Sequence, residues 1–220
     1  MAAPSFSHVD LANMNFTVSD TSGETLEAAK ARVRQEFLDR RASLKAAEPD
    51  AGNQIKDQIL SLHKDQPFGK TAGYVAIGDE LDIALAMSTL HSRETMLCLP
   101  VNEAQASVLS FRAWEPGSAL IGGPFGTRFP EASAEAVSPD VLLVPLVAFD
   151  CSGHRLGYGK GFYDITLAEL RKDNSIAAYG VAYDGQEIES VPHDVFDARL
   201  DGIITPSRII LSDSESDEPA

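Results

Sequence analysis

The sequence predicts an α/β domain in which helices cover both faces of a largely parallel β-sheet. One observation behind this prediction is that segments with the apolar spacing of helices and of strands alternate along most of the chain. A second is the apolar run VLLVPLVAF at 141–149, because unbroken apolar strands are typical of parallel sheets that are buried on both faces. A third is the composition, with 44% hydrophobic and 23% charged residues, which is ordinary for a globular protein.

Two helices are predicted before the first strand. The first spans about 24–46, with Ser22 or Thr25 as its cap, and the second spans about 53–64. The apolar residues of the first helix fall on one face at 100° per residue, which predicts that this face is buried. These residues are Leu26, Val33, Phe37 and Leu44.

Strands and helices then alternate to the end of the domain. The predicted strands are 74–77, 95–101, 107–114, 141–149, 176–183, 202–204 and 208–211. The predicted helices between them are 80–91 and 161–172.

The length of 220 residues fits one domain, which we expect at 24–211. Residues 1–23 are mixed and polar, and 212–220 form an acidic tail without apolar residues that could anchor it, so both ends are expected to be flexible arms. The two cysteines, Cys98 and Cys151, are too few for a disulfide framework and lack the spacing of a zinc site.

Charge and hydropathy limit the classes of partner. No stretch approaches the roughly 18 apolar residues of a membrane span, and the first residues lack the pattern of a secretory signal. We therefore expect a soluble, cytoplasmic protein with no membrane partner, and we take it to be a monomer. The formal net charge of −15 opposes binding to nucleic acids, so an anionic ligand must meet a local concentration of cations.

The segment RLGYGKGFYD at 155–164 concentrates glycines and cations directly after the long apolar strand. Ligands of open α/β sheets bind beyond the carboxyl ends of the strands. The three alternating glycines let backbone N–H groups turn toward one point, and the following helix adds the positive end of its dipole. With Arg155 and Lys160, the segment predicts a site for a phosphate chain. It matches neither the Walker P-loop nor the dinucleotide fingerprint, and a glycine-rich turn that serves tight packing is the structural alternative.

Carboxylates follow this segment. Asp164 lies in the first turn of the predicted helix, where an acid either complements the helix dipole or binds the Mg²⁺ that accompanies ATP. A second carboxylate for the metal could come from Asp194, Asp197 or Asp201.

The first helix carries a row of cations along the edge of its apolar face. Relative to Lys30, Arg34 lies about 40° and Arg41 about 20° around the helix axis. These side chains either reach into a neighbouring cleft or cover apolar surface with their aliphatic stems. The pattern leaves both interpretations open.

These stretches together resemble the 5-formyltetrahydrofolate cyclo-ligase family, also called the 5,10-methenyltetrahydrofolate synthetase family. The resemblance covers about residues 28–206, and its central run is highly specific. The matching pieces are K-x-x-x-R at 30–34, D-E-L-D at 79–82, L-P-V at 99–101, V-P-L-V-A-F-D-C-S-G-H-R-L-G-Y-G-K-G-F-Y-D at 144–164 and P-H-x-x-x-D at 192–197.

The resemblance implies a three-layer α/β/α fold similar to that of the ribose-phosphate isomerase and coenzyme A transferase group. It also implies an ATP- and Mg²⁺-dependent closure of 5-formyltetrahydrofolate, whose glutamate tail can be single or extended, to 5,10-methenyltetrahydrofolate. ADP and phosphate are released. The chemistry explains the need for ATP, because phosphorylation of the formyl oxygen converts a very poor leaving group into phosphate.

The resemblance also assigns roles to residues of this chain. Those that look like the ATP site are Lys30, Arg34, Arg155, Leu156, Gly157, Tyr158, Gly159, Lys160, Gly161, Phe162 and Tyr163. Those that look like folate contacts are Val75, Glu80, Tyr158, Gly159, Lys160, Gly161 and Phe162. The expected catalytic residues are Lys30, Arg155 and Lys160, and the expected magnesium ligands are Asp164 and Asp197.

Departures from the family pattern leave alternatives open. Family members commonly read Gly-Ile-x-Glu-Pro where this chain reads Gly-Thr-Arg-Phe-Pro at 126–130, and many have glycine in place of Lys160. Glu80 is otherwise an ordinary acid in a helical first turn, and Trp114 is either a folate contact or a core aromatic. A non-catalytic relative that binds 5-formyltetrahydrofolate is the alternative function. A coenzyme A or sugar-phosphate enzyme is another, for which a catalytic glutamate or a different phosphate loop is expected.

Overall fold

The computed structural model describes residues 23–103, 107–173 and 175–212. The arms predicted at 1–23 and 212–220 lie outside these residues, apart from Gly23 and Ser212. Within the described residues, no helix has both the length and the apolar character to cross a membrane.

Four α-helices and eleven strands form in the described part of the chain. The helices are α1 (Leu26–Ala47), α2 (Ala51–Asp65), α3 (Ala84–Ser92) and α4 (Phe162–Asp173). The strands are β1 (Thr71–Ala72), β2 (Leu97–Val101), β3 (Ser110–Ala113), β4 (Ile121–Gly122), β5 (Arg128–Phe129), β6 (Val141–Pro145), β7 (Ala148–Phe149), β8 (Arg155–Leu156), β9 (Ala177–Val181), β10 (Gly202–Ile204) and β11 (Ile209–Leu211).

Seven of these strands form the main sheet in the order β11-β10-β9-β6-β1-β2-β3. The five inner strands run parallel, and the edge strands β3 and β11 run antiparallel to their neighbours. The strands β4 and β5 form one small antiparallel pair, and β7 and β8 form another. The predicted α/β class with a largely parallel sheet is confirmed.

The side chains of β6 show how the sheet separates two layers of helices. Successive residues of a strand point to opposite faces. Val141 and Leu143 pack into the core under α2 and α3, whereas Leu142 and Val144 pack into the core that contains Leu167 of α4. The helix α1 packs separately and buries Val33 and Phe37 against the β7–β8 pair. Helices therefore cover both faces, as predicted.

Most predicted elements are confirmed to within a few residues, but the prediction for 74–91 is partly wrong. The strand expected at 74–77 lies instead at Thr71–Ala72, and the helix expected from 80 begins at Ala84. The chain leaves the sheet after β1 and forms a turn in which the Glu80 carboxylate accepts a hydrogen bond from the Ile77 N–H at 2.7 Å. The Asp82 side chain then accepts a hydrogen bond from the Ala84 N–H at 2.8 Å, where the helix starts.

The apolar run 141–149 is two strands and not the one predicted. Pro145 ends β6, because proline has no N–H to continue the ladder. The Val147 N–H then donates to the Leu156 carbonyl at 2.7 Å, so the chain pairs with β8 instead. This change of partner brings the glycine-rich segment back to the carboxyl end of the sheet.

The packing of α4 on the sheet gives a test of the fold. We expect Leu167→Ala to lower the free energy of unfolding by about 2–5 kcal/mol, because it empties a fully buried position. Urea denaturation measures this change. Ile165→Ala on the same helix is the control, since Ile165 is 41% exposed and should cost under about 1 kcal/mol. Equal losses in the two variants would contradict the packing described for α4.

Candidate functional site

A cavity of about 610 Å³ lies at the carboxyl ends of the central strands. It is lined by residues after β1, by residues at the ends of β2 and β6, and by the glycine-rich segment with the start of α4. Its described lining residues include five Lys or Arg side chains and four Asp or Glu side chains. Basic residues therefore slightly outnumber acidic ones in the cavity lining, although the whole chain has only 18 Lys and Arg against 33 Asp and Glu.

The structure brings the residues that the family resemblance assigns to the site to this cavity, whereas the candidate carboxylate Asp194 does not line it. They are Lys30, Arg34, Val75, Glu80, Arg155, Leu156, Gly157, Tyr158, Gly159, Lys160, Gly161, Phe162, Tyr163, Asp164 and Asp197. Trp114 is not among the lining residues and packs against the core under α2 and α3. Asp201, another candidate carboxylate, pairs with Arg171 at 2.8 Å and does not line the cavity.

The glycine loop, residues 157–161, connects β8 to α4 and faces the cavity. Gly159 has φ +84° and Gly161 has φ +68°, a conformation that favours glycine. Arg34 reaches the loop from α1, and its Nε donates to the Gly157 carbonyl at 2.8 Å. Its guanidinium carbon lies 3.1 Å from the point where a Cβ at Gly159 would stand. A larger residue at Gly159 would therefore need a strained backbone and a small displacement of the Arg34 guanidinium.

Arg155 and Asp164 form a buried ion pair at the base of the loop. The Arg155 Nη2 donates to Asp164 Oδ1 at 2.8 Å, and the same oxygen accepts the Ala198 N–H at 3.0 Å. The Arg155 side chain is only 4% exposed, and this burial lowers the pKa of Arg155 while Asp164 opposes the shift. An arginine remains charged despite such a shift. Asp164 is therefore the counter-charge of Arg155 in this structure.

Lys30 ties α1 to a turn of the chain at 194–197. Its Nζ donates to Asp197 Oδ2 at 2.6 Å and to Asp194 Oδ2 at 3.1 Å. Burial acts to lower the pKa of Lys30, but the hydrogen bonds to the two carboxylates outweigh it, and the pKa is raised. Burial acts to raise the pKa of Asp194, but the Phe196 N–H and Lys30 outweigh it, and the pKa is lowered. Lys30 and Asp194 are thus both charged at neutral pH.

The described residues contain no group of three or more His, Cys, Asp or Glu side chains that could hold a metal. Asp164 and Asp197 nevertheless both line the cavity beside the glycine loop. Mg²⁺ commonly takes one or two protein carboxylates and completes its octahedron with phosphate oxygens and water. The two carboxylates therefore fit a magnesium ion that is bound together with a phosphate ligand.

Glu80 is a buried carboxylate that lines the cavity. It is 5% exposed, and burial raises its pKa, while the Ile77 N–H, Arg41 and Tyr158 act to lower it. Burial raises the pKa of the Tyr74 and Tyr163 phenols, and the Glu80 charge raises it further. Both phenols therefore remain neutral near pH 7. Glu80 is therefore a hydrogen-bond acceptor in an apolar, aromatic setting.

Sequence reasoning missed several residues of the site. Phe125 lies in a turn with φ +59° and faces Lys160, whose Nζ is 5.3 Å from the ring centroid. Arg128 and Asn102 also line the cavity. Arg41 was recognised as part of the cation row, but its burial and its contact with Tyr158 were not predicted. A departure from the family pattern at 126–130 was the one signal in the sequence that pointed near Phe125.

Comparisons with known proteins agree on one family. The sequence profile of the 5-formyltetrahydrofolate cyclo-ligase family matches residues 26–206. The 5-formyltetrahydrofolate cyclo-ligase of Haemophilus influenzae is 30% identical over 179 residues, which cover 79% of this chain and 95% of the relative. That of Mycolicibacterium smegmatis is 31% identical over 195 residues, which cover 84% and 97% of the two chains.

Solved structures of similar fold carry the synonymous name. The NMR structure of Aquifex aeolicus 5,10-methenyltetrahydrofolate synthetase matches with a TM-score of 0.65 and 30% identity, covering 83% of this chain and 92% of its own. The 5,10-methenyltetrahydrofolate synthetase of Mycoplasma pneumoniae matches with a TM-score of 0.63 and 22% identity, covering 80% and 97%. This second likeness supports the fold alone.

The Lys30 cluster gives a prediction about pH. We expect Lys30→Met to raise the pKa of Asp194, because the ammonium that favours its charged form is gone while burial persists. Carboxyl NMR titration measures this pKa. At neutral pH the free energy of unfolding should be larger for wild type than for the variant. This difference should shrink as the pH falls through the pKa of Asp194.

Lys45→Met is the control for this prediction. Lys45 lies on the same helix, is exposed, and pairs with Asp79 rather than with the turn at 194–197. An unchanged Asp194 pKa in the Lys30 variant would show that the ion pair does not exist in solution.

Proposed function

The chain belongs to the 5-formyltetrahydrofolate cyclo-ligase family, and from this premise we propose how its cavity carries out the reaction. The enzyme converts 5-formyltetrahydrofolate to 5,10-methenyltetrahydrofolate with the use of ATP. The parts proposed here are the two ligand sites within the cavity, the magnesium ligands and the order of chemical steps.

One observation carries the proposal: a single cavity is lined both by the glycine loop with its cations and by the buried carboxylate Glu80. Its volume of about 610 Å³ lies within the range of small-molecule sites, about 300–1,000 Å³. A nucleotide on the glycine loop and a folate against Glu80 would therefore share one cavity. This arrangement suits direct transfer of a phosphoryl group between two bound substrates.

The nucleotide triphosphate is proposed to lie on the glycine loop. Support comes from the positive φ angles of Gly159 and Gly161, which let N–H groups face the cavity, and from the N-terminus of α4. Lys30, Arg34 and Arg155 stand around the loop and supply positive charge. Lys160, which leans over the Phe125 ring, can swing from it to a phosphate because its ammonium is on a flexible stem.

Asp164 and Asp197 are the proposed protein ligands of Mg²⁺. Both of the hydrogen bonds that Asp164 accepts go to Oδ1, so within the described residues Oδ2 makes no hydrogen bond. Asp197 likewise accepts Lys30 and the Asp194 N–H through Oδ2. One oxygen of each carboxylate is thus left for a metal. The ion, when bound, neutralises charge on the phosphate oxygens.

The chemistry needs activation of the formyl oxygen more than it needs a protein nucleophile. In the proposed steps the formyl oxygen attacks the γ-phosphorus, and the bond from that phosphorus to the ADP oxygen breaks. The N10 amine adds to the formyl carbon, the carbon–oxygen bond breaks, and phosphate leaves as N10 loses its proton. Lys30, Arg155 and Lys160 stabilise the charge that moves among the phosphate oxygens. Their placement around one loop supports this role.

The folate is proposed to lie against Glu80. A carboxylate accepts two hydrogen bonds, which suits the amino and ring N–H groups of a pterin. Val75 and Phe125 also line the cavity, and Phe125 is 65% exposed, so its ring is accessible to a planar ligand.

A direct assay tests the function. Purified protein is mixed with ATP, Mg²⁺ and 5-formyltetrahydrofolate, and the near-ultraviolet absorbance of the methenyl product is followed. We expect product only when all three are present. Folded protein that binds 5-formyltetrahydrofolate but never forms product would instead be a non-catalytic binding relative.

Asp164→Asn tests the metal site. We expect the variant to lose turnover while it stays folded, because an amide is a much weaker ligand for Mg²⁺ than a carboxylate. Initial rates and circular dichroism measure the two effects. Asp201→Asn is the control, since Asp201 also pairs with an arginine but lies away from the cavity. Normal turnover of Asp164→Asn at saturating Mg²⁺ would remove Asp164 from the metal site.

Glu80→Gln tests the proposed folate site. We expect the Kd for 5-formyltetrahydrofolate to rise about tenfold or more, as for the loss of a charge-assisted hydrogen bond, with the Kd for ATP nearly unchanged. Isothermal titration measures both. Asp79→Asn is the control, because Asp79 is the adjacent acid and its side chain is 46% exposed. An equal rise in the Kd for ATP and for 5-formyltetrahydrofolate would contradict the placement of Glu80 in a distinct folate site.

A further inference from the structure

Arg41 is a charged residue that the proposed mechanism does not use. It lies on α1 with 4% of its surface exposed, so it is not a surface cation whose stem covers apolar groups. Its Nη1 donates to the Leu146 carbonyl at 3.3 Å, and its Nη2 donates to the Tyr158 hydroxyl at 2.5 Å. Its Nε is buried and has no hydrogen-bond partner among the described residues. Such an incompletely satisfied buried cation is costly and calls for an electrostatic reason.

Glu80 supplies that reason. Arg41 and Glu80 are buried groups of opposite charge. The Tyr158 phenol accepts a hydrogen bond from Arg41 and interacts electrostatically with Glu80. A phenol has one proton to donate. Because the Tyr158 oxygen accepts the Arg41 N–H, its own proton is available to the Glu80 carboxylate.

The other groups that face Glu80 cannot replace Arg41. Tyr74, from the segment after β1, and Tyr163, from α4, are neutral phenols with raised pKa values. The Ile77 N–H provides a hydrogen bond but no formal charge. Within the described residues, Arg41 is the cation that acts on the Glu80 charge.

We propose that Arg41 is a positioning residue for the folate: it orients the Tyr158 hydroxyl toward Glu80 and keeps that carboxylate ionised and aimed at the pterin. This proposal rests on the proposed folate site at Glu80. Arg41 itself does not line the cavity and acts through Tyr158. Because Tyr158 also belongs to the glycine loop, its hydroxyl would connect the proposed nucleotide site with the proposed folate site.

The first test is the affinity of Arg41→Met for 5-formyltetrahydrofolate, measured by isothermal titration. We expect the Kd to rise about 10- to 100-fold, as when a charged hydrogen-bond network loses its cation. Arg41→Lys should recover part of this loss, since it restores the charge but not the forked donor geometry. Arg40→Met is the matched control, because Arg40 is the exposed neighbour that packs over Phe37. It should leave the Kd unchanged.

A double-mutant cycle separates positioning from general support of the fold. If Arg41 acts through Glu80, Arg41→Met should lose most of its effect on the Kd when Glu80 is already Gln. Folate affinity should fall at low pH as Glu80 becomes protonated, and we call this fall the acid limb. In Arg41→Met the acid limb should move to higher pH, because loss of the cation raises the pKa of Glu80 further. In Glu80→Gln the acid limb should be absent.

Each outcome decides the proposal. An equal fold-change from Arg41→Met in both backgrounds, or an unmoved acid limb, would overturn it. If Arg41→Met does not fold, Tyr158→Phe in the two Glu80 backgrounds gives the same cycle, and additivity there would also overturn it. If wild type forms no methenyl product, the proposed function fails instead, which the absorbance assay reports independently.

Discussion

The structure depends on the pairing of opposite charges at the carboxyl edge of the sheet. Lys30 with Asp194 and Asp197 fastens α1 to the turn at 194–197, and Arg155 with Asp164 fastens β8 to the start of α4. Asp197 also acts electrostatically on Arg155, so the two ion-pair clusters interact with each other. Buried charges are tolerated only when paired and hydrogen-bonded. The segments that form the cavity are therefore held together by the same groups that are proposed to meet a phosphate and a metal.

The layered fold was predictable because its signals are local. The spacing of Val33 and Phe37, the apolar stretch at 141–149 and the cap at Thr25 each depend on neighbours in the sequence. The exception is the chain between β1 and α3. There, Glu80 looks like a helical first-turn acid, but its carboxylate accepts the Ile77 N–H and forms a turn. Local propensity could not show that Glu80 is buried at the cavity, since its burial depends on distant parts of the chain.

The site was predictable to a different degree. The glycine loop carried its own signature, and the family resemblance added Lys30, Asp197 and Glu80 from distant parts of the chain. The contact between Arg41 and Tyr158 joins residues 117 positions apart and has no signature in either neighbourhood. Helical geometry put Arg41 in the cation row, yet it did not distinguish a buried side chain from one that lies along the surface.

The pairing of Asp164 and Asp197 with cations bears on how the enzyme takes up its substrates. A bare Mg²⁺ ion that entered the cavity alone would compete with Arg155 and Lys30 for carboxylates whose charge is already balanced. An ion that arrives on ATP brings phosphate oxygens that complete its shell and engage those same cations. Under the proposed assignment, the free enzyme is expected to bind Mg²⁺ weakly, and the metal is expected to enter the cavity together with the nucleotide.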